Sequence, residues 1–408
     1  MTSMQGKRAL RLLGMLMGWL LCAQGLWAAH VHTHSLNSSK TKSQRIHESQ
    51  RTRRRMGHLA QGRRSGSLHT AHSRRHRYHE RFHTSSFADD LTASDITAGE
   101  DPIVRQAAIE ALGNMNGTVV AIEPDNGRVL AMVNQKLALS SGAQPCSTIK
   151  LSVALAALSE GVVNRDTEIP LGRRSQMNLT EALAHSNNAY FEALGRKLGF
   201  DKIAYYAHEY GLGELAGYHI SGEKLGTYPE AVIPAKLGGV GKMCSYGEGI
   251  SMTPLQLGAM VSAIANGGTL YYLQHPTTPE QIADFQPRTK RQLDIAPVIP
   301  ELSEGMAGAV EYGTARKLRF NFNEEEILGK TGTCSHAGTR YGWFASYSNT
   351  SAGRVVVVVF LQGGRPTFGP KAAEIAGKMY RNLYDHAFFA GVALRPPGAP
   401  AAQFSTRP

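Results

Sequence analysis

The sequence predicts an α+β fold: a mostly antiparallel five-stranded sheet flanked by helices, with an all-helical lobe. Two short β-type runs lie near residues 118–133, and three more lie near residues 327–361. The stretch between them reads mostly as helix. Together these place one sheet at the two ends of the folded region and the helical lobe in its middle.

Taken in order, the pattern starts near Asp101-Pro102, and Ile103–Leu112 carries apolar residues at helical spacing. Thr118–Ile122 and Arg128–Val133 flank Pro124-Asp125-Asn126-Gly127, which reads as a hairpin turn. A Pro-Cys turn leads into an apolar helix, Leu151–Leu158, that stops near Gly161. Helix is expected from about Leu179 to Tyr210, then a Gly-rich loop region over Gly211–Gly249. Pro254–Asn266 is a helix ended by Gly267-Gly268. Ile327–Thr333, Gly342–Tyr347 and Arg354–Leu361 are β-rich, and Val355–Phe360 is continuously apolar, as a central strand covered on both faces should be. Lys371–Tyr384 closes the domain as an amphipathic helix.

The net charge of +12 is concentrated at the N-terminus. Residues 1–29 contribute +3, residues 30–86 contribute +11, and residues 87–408 carry 28 Lys/Arg against 30 Asp/Glu. The folded part is therefore nearly neutral, which excludes a nucleic-acid-binding role for the whole protein. Lys7, Arg8 and Arg11 precede the apolar stretch Leu12–Ala29, the pattern of a signal peptide or a membrane anchor. Either places the remainder in the cell envelope, periplasmic or extracytoplasmic. Residues 30–86 hold ten of the sixteen histidines and almost no large apolar residues, so they are expected to be disordered. They read as a solvated tether, as a contact for anionic membrane or wall polymer, or as a metal site at His30, His32 and His34. The expected division is 1–29 signal or anchor, 30–96 basic linker, 97–392 folded domain and 393–408 flexible tail.

Three short motifs carry the chemistry. Ser147-Thr148-Ile149-Lys150 opens the apolar helix, with serine and lysine on one face. A lysine amine there can take the serine proton, and the helix N-terminus favours developing negative charge. Ser186-Asn187-Asn188 presents a hydroxyl and a carboxamide two residues apart. Lys330-Thr331-Gly332-Thr333 ends a β-type run, so Lys330 and Gly332 share one face and Thr331 and Thr333 the other. The glycine lets a ligand approach the backbone.

An S-x-x-K, S-x-N and K-T-G set in this order resembles that of the penicillin-binding proteins and active-site serine β-lactamases. Further segments are similar to the penicillin-binding transpeptidase domain. They are the hairpin Ala121–Val133, Tyr246-Gly247-Glu248-Gly249, Thr253-Pro254-Leu255-Gln256-Leu257, Ile264-Ala265-Asn266-Gly267-Gly268, Gly313-Thr314-Ala315 and Trp343-Phe344. The resemblance covers roughly residues 105–390.

It implies a β-lactamase/transpeptidase-like fold and a serine acyltransferase acting on D-Ala-D-Ala stem peptides of peptidoglycan, able to bind β-lactams covalently. On that reading Ser147 is the nucleophile and Lys150 its base. Ser186 passes the proton to the leaving amine, Asn188 holds the substrate amide, and Lys330 supplies electrostatic stabilisation. Thr331 and Thr333 bind the terminal carboxylate beside Gly332, and the N–H groups of Ser147 and Thr333 form the oxyanion hole. No metal and no cofactor is implied.

Residues 30–100 are too few for a glycosyltransferase or large pedestal domain, and the short segment 161–186 is expected to leave an open cleft. Cys146 stands where the family usually has glycine, and Cys334 follows the third motif. In this family those motifs face each other, so the two cysteines either bridge or remain buried thiols. Two other functions compete: a serine β-lactamase with the same layout, disfavoured by polar Asn188, and a non-enzymatic β-lactam sensor or wall-binding module.

Overall fold

The computed structural model describes residues 81–389, except 174, 351 and 352. The signal or anchor segment, most of the basic linker and the C-terminal tail lie outside the described residues.

In chain order the helices are α1 Pro102–Leu112, α2 Gln135–Ala138, α3 Lys150–Ser159, α4 Leu179–Ala184, α5 Asn188–Leu198 and α6 Phe200–Glu209. They continue as α7 Gly239–Tyr246, α8 Pro254–Ala265, α9 Pro279–Ala283, α10 Ile299–Glu311 and α11 Gly369–Asp385. The strands are β1 Gly117–Glu123, β2 Arg128–Val133, β3 Ile169–Gly172, β4 Ser175–Met177, β5 Thr269–Tyr271, β6 Thr289–Gln292, β7 Ile327–His336, β8 Thr339–Ser348 and β9 Val356–Gly363.

The main sheet runs β2-β1-β9-β8-β7 with every neighbour antiparallel. The expected five-stranded sheet is thus present, with β7, the strand that carries Lys330–Thr333, at its edge. Central β9 reads as an unbroken apolar run because both its faces are covered. Val356, Val358 and Phe360 enter the core shared with α3 and α8, while Val357, Val359 and Leu361 enter the core shared with α1 and α11.

Local chemistry explains the element ends. Asp101 accepts from the Ile103 and Val104 N–H groups and Pro102 starts α1. Thr253 and Gln256 form a reciprocal capping box on α8.

The sequence misses several elements. The expected helical run 179–210 is three helices, broken at Ser186 and Gly199, both at positive φ. The Gly-rich region contains α7, and the antiparallel pairs β3–β4 and β5–β6, the latter with α9 between its strands, and helix α10 have no counterpart in the sequence pattern. These strands have only three or four residues, too few to show a period.

The packed chain begins before residue 97. The His83 N–H donates to Gly338 O at 2.9 Å, and Phe87 bridges to Met115. Asp95 and Glu100 both pair with Arg105, at 3.0 and 2.7 Å, with both carboxylates almost fully buried. Polar residues that look like linker are here the partners of buried groups, a role that hydrophobic patterning does not reveal.

Candidate active site

The first motif does not sit wholly in an α-helix. Cys146–Ile149 form a 3₁₀ turn, and Lys150 is the first residue of α3. Three residues per turn still bring Ser147 and Lys150 to the same side. Lys150 Nζ lies 3.0 Å from Ser147 Oγ. It also lies 2.8 Å from Ser186 O, 3.1 Å from Ser186 Oγ and 2.6 Å from Asn188 Oδ1. Two motifs 36 residues apart thus meet on one amine.

Ser186 reaches that point because α4 ends and α5 begins around it. Its φ is 55°, a left-handed value uncommon for serine, and Asn187 caps α5 by accepting from the Tyr190 N–H at 2.9 Å. Asn188 is then held at both ends of its carboxamide: Oδ1 accepts from Lys150, and Nδ2 donates to Tyr246 Oη at 2.6 Å. Tyr246 belongs to the Tyr-Gly-Glu-Gly block and ends α7. Its sequence signal lay in that block, but its contact with Asn188 follows only from the fold.

The third motif contributes a second buried lysine. Lys330 donates to Thr331 O at 3.2 Å, and burial lowers its pKa to about 7. Lys150 is lowered to about 6, first by burial and then by the charge of Lys330. Near neutrality Lys150 is therefore largely the free amine, able to accept a proton from Ser147.

Strand alternation puts the motif's residues where the sequence expects them. Gly332 faces the nucleophile turn so closely that a Cβ there would stand 2.8 Å from Pro145 O and 3.2 Å from Thr148 Cγ2. Thr331 and Thr333 face the other way. Thr331 is buried and donates to Thr314 Oγ1 at 2.7 Å. Thr333 Oγ1 accepts from the Gly369 N–H at 2.8 Å, leaving its own proton free. Thr314 is a partner that the sequence showed only as part of Gly313-Thr314-Ala315.

Two ties join the nucleophile turn to the sheet. Trp343 Nε1 donates to Gln144 O at 3.0 Å. Cys146 and Cys334 form a disulfide with Cα atoms 5.5 Å apart, so of the two alternatives the bridge is the one realised. The third cysteine of the described region, Cys244, is buried and free, and burial raises its pKa to about 12. Among the described residues, no group of three or more His, Cys, Asp or Glu is arranged to hold a metal ion. The His30, His32 and His34 reading lies outside the described residues.

A serine, a neutral lysine and a second serine within 3.1 Å of that lysine can carry out acyl transfer: one group attacks, one removes its proton, one returns a proton to the leaving group. The chain is 27% identical over 317 residues to the stage V sporulation protein D of Bacillus subtilis, which matches 64% of this chain and 48% of that protein. It is 24% identical over 377 residues to the peptidoglycan D,D-transpeptidase PbpA of Mycobacterium tuberculosis, with 74% of each chain covered. The chain thus spans about half the length of the first relative and about three quarters of the second. A peptidoglycan glycosyltransferase from Burkholderia ambifaria superposes with a TM-score of 0.60 at 19% identity, covering 74% of this chain and 99% of that one, a likeness of fold. The family model of the penicillin binding protein transpeptidase domain matches residues 117–384, which contain all three motifs and all five strands of the main sheet. On that match the chain belongs to the penicillin-binding protein transpeptidase domain family.

Proposed function

We propose that this protein is a peptidoglycan D,D-transpeptidase or D,D-carboxypeptidase working through an acyl-serine at Ser147. The observation that carries this reading is the Lys150 amine, which lies within 3.1 Å of Ser147 Oγ, Ser186 Oγ and Asn188 Oδ1.

Ser147 Oγ attacks the carbonyl carbon between the two terminal D-alanines as its proton passes to the free amine of Lys150. The oxyanion is received by the N–H groups of Ser147 and Thr333. Collapse breaks the peptide C–N bond, and Ser186 hands a proton to the departing D-alanine amine. An amine of a second stem peptide, or water, then attacks the ester and releases Ser147. Lys330 supplies positive potential, and the free hydroxyl proton of Thr333 suits it to the substrate carboxylate, with Thr331 and Gly332 behind it. β-Lactams acylate the same serine.

The β-lactamase alternative with a carboxylated lysine needs an apolar surrounding for that lysine. Here four oxygens face the Lys150 amine, which favours the unmodified base. A wall-binding module that forms no covalent bond has no use for a lysine lowered to about 6 beside a serine.

Such a substrate belongs in the cell envelope, which the chain reaches through residues 1–29 as a signal peptide or a membrane anchor, with the basic 30–86 segment suited to anionic lipid or wall polymer. Labelling with a fluorescent penicillin, followed by timing the loss of label, tests the reading. A long-lived adduct at Ser147 supports it, rapid turnover means a β-lactamase, and no adduct removes the acyl-serine mechanism.

A further inference from the structure

We propose that the Cys146–Cys334 bond is a thiol–disulfide exchange site for a dithiol in the envelope, and that its oxidation state sets how fast Ser147 is acylated. The inference rests on the acyl-serine reading above.

The bond spans 188 residues of sequence and joins the two walls of the site. Cys146 directly precedes Ser147, and Cys334 directly follows Thr333 on β7. No other covalent link connects the nucleophile turn to the strand among the described residues.

Cys146 also has an unusual backbone. Its φ is 53°, in the left-handed region that suits glycine and strains a residue with a Cβ. Such a conformation persists only where the surroundings over-determine it. The Cys146 side chain is fully buried and covalently held to β7. When the bond opens, that hold is lost. The Trp343–Gln144 hydrogen bond, which remains, acts two residues earlier and not on Cys146 itself. The turn can then relax toward ordinary φ, and Ser147 Oγ moves with respect to Lys150.

The two sulfurs differ in access. Cys146 is shielded, whereas Cys334 is half-buried and is followed by exposed Ser335 and His336. An incoming thiolate therefore reaches Cys334. Its attack on Cys334 Sγ forms a mixed disulfide and expels Cys146 as a thiolate, which takes up a proton. The second thiol of the dithiol then attacks the mixed disulfide and releases Cys334. Two electrons pass to the protein, and the dithiol leaves as a disulfide.

The test uses the full chain, oxidised or treated with dithiothreitol and then desalted, with the bond state read by mass spectrometry. Acylation by fluorescent penicillin should slow at least tenfold after reduction and recover on reoxidation. The double variant Cys146→Ala/Cys334→Ala should be slow in both conditions. Cys146→Gly/Cys334→Ser should acylate close to the oxidised rate and ignore dithiothreitol, because glycine takes the positive φ without a bond. Amide exchange over residues 146–149 should quicken on reduction of the unaltered protein. Equal rates and equal exchange in the two states, a bond that dithiothreitol cannot open in the folded protein, or an alanine pair as fast as the oxidised chain would each overturn the proposal. If penicillin labels none of the forms, the acyl-serine reading fails separately, and amide exchange alone decides whether the bond controls the turn.

Discussion

Asn188 Oδ1 lies 2.6 Å from Lys150 Nζ, so a carboxamide fixes the amine that faces Ser147. The other end of that carboxamide is fixed in turn by Tyr246 Oη. Tyr246→Phe should leave Nδ2 without this acceptor and let the amide rotate. The expected result is acylation slowed by roughly fivefold, from the ~1 kcal/mol of a lost hydrogen bond. Stopped-flow acylation with unchanged thermal midpoint checks it; a rate equal to that of the unaltered protein counts against the relay.

Ser147→Ala should abolish covalent penicillin labelling and leave the fold intact, since Ser147 lies on a turn whose backbone ties do not use its hydroxyl. Lys150→Ala should slow acylation by about 10²–10⁴, the usual contribution of a positioned base. Intact-mass measurement after penicillin exposure reads both. Full labelling of the serine variant would remove Ser147 from the mechanism.

Acylation should fall as pH drops through about 6, because burial and the charge of Lys330 lower Lys150 to that value and only its free amine accepts the serine proton. Lys330→Met removes a neighbouring positive charge, which raises the Lys150 pKa and should move this acid limb to higher pH. The stability sign follows from the same shift. Between about 6 and the ordinary 10.5, the unfolded chain holds the Lys150 proton and the folded chain does not, so stability rises with pH across that window. Rate and urea midpoint measured from pH 5 to 9 test both statements; a flat rate profile contradicts the free-amine base.

A chain starting at Thr97 should be less stable than one starting at Arg81. The shorter form lacks Asp95, which pairs with Arg105 at 3.0 Å, and Ser86, which accepts from the Gly364 N–H at 2.7 Å. Breaking a buried ion pair costs ~3–5 kcal/mol, although Glu100 remains as a second partner and lowers that cost. Differential scanning calorimetry should show a drop of several degrees. Identical midpoints would mean that residues 81–96 add nothing to the domain.

Gly332→Ala should disturb the nucleophile turn more than the sheet. The new methyl would meet Pro145 O at 2.8 Å, a backbone atom that cannot swing away. Overpacking of this kind costs ~1–3 kcal/mol. Acylation should slow by at least tenfold with a modest fall in midpoint. An unaffected rate would show that the turn and β7 need not be in close contact.

Much of this protein can be read along the chain. The run Val355–Phe360, whose residues from Val356 on lie in β9, is apolar on both faces, so its central place follows from composition. Ser147, Lys150, Ser186, Asn188 and Lys330 stand out because acyl transfer needs those groups in short motifs, and the fold brings them to one centre. What the sequence by itself determined is therefore the sheet, the helical lobe and the three short motifs, all of which depend on local pattern. Only the tertiary structure decided which of those groups touch. The Asn188–Tyr246 contact, the Cys146–Cys334 bond and the Arg105–Asp95 pair join residues 58, 188 and 10 positions apart, and none has a periodic signature. The lowered pKa of Lys150 belongs to the same class: it arises from burial and from a lysine 180 residues away, and neither exists before the chain packs.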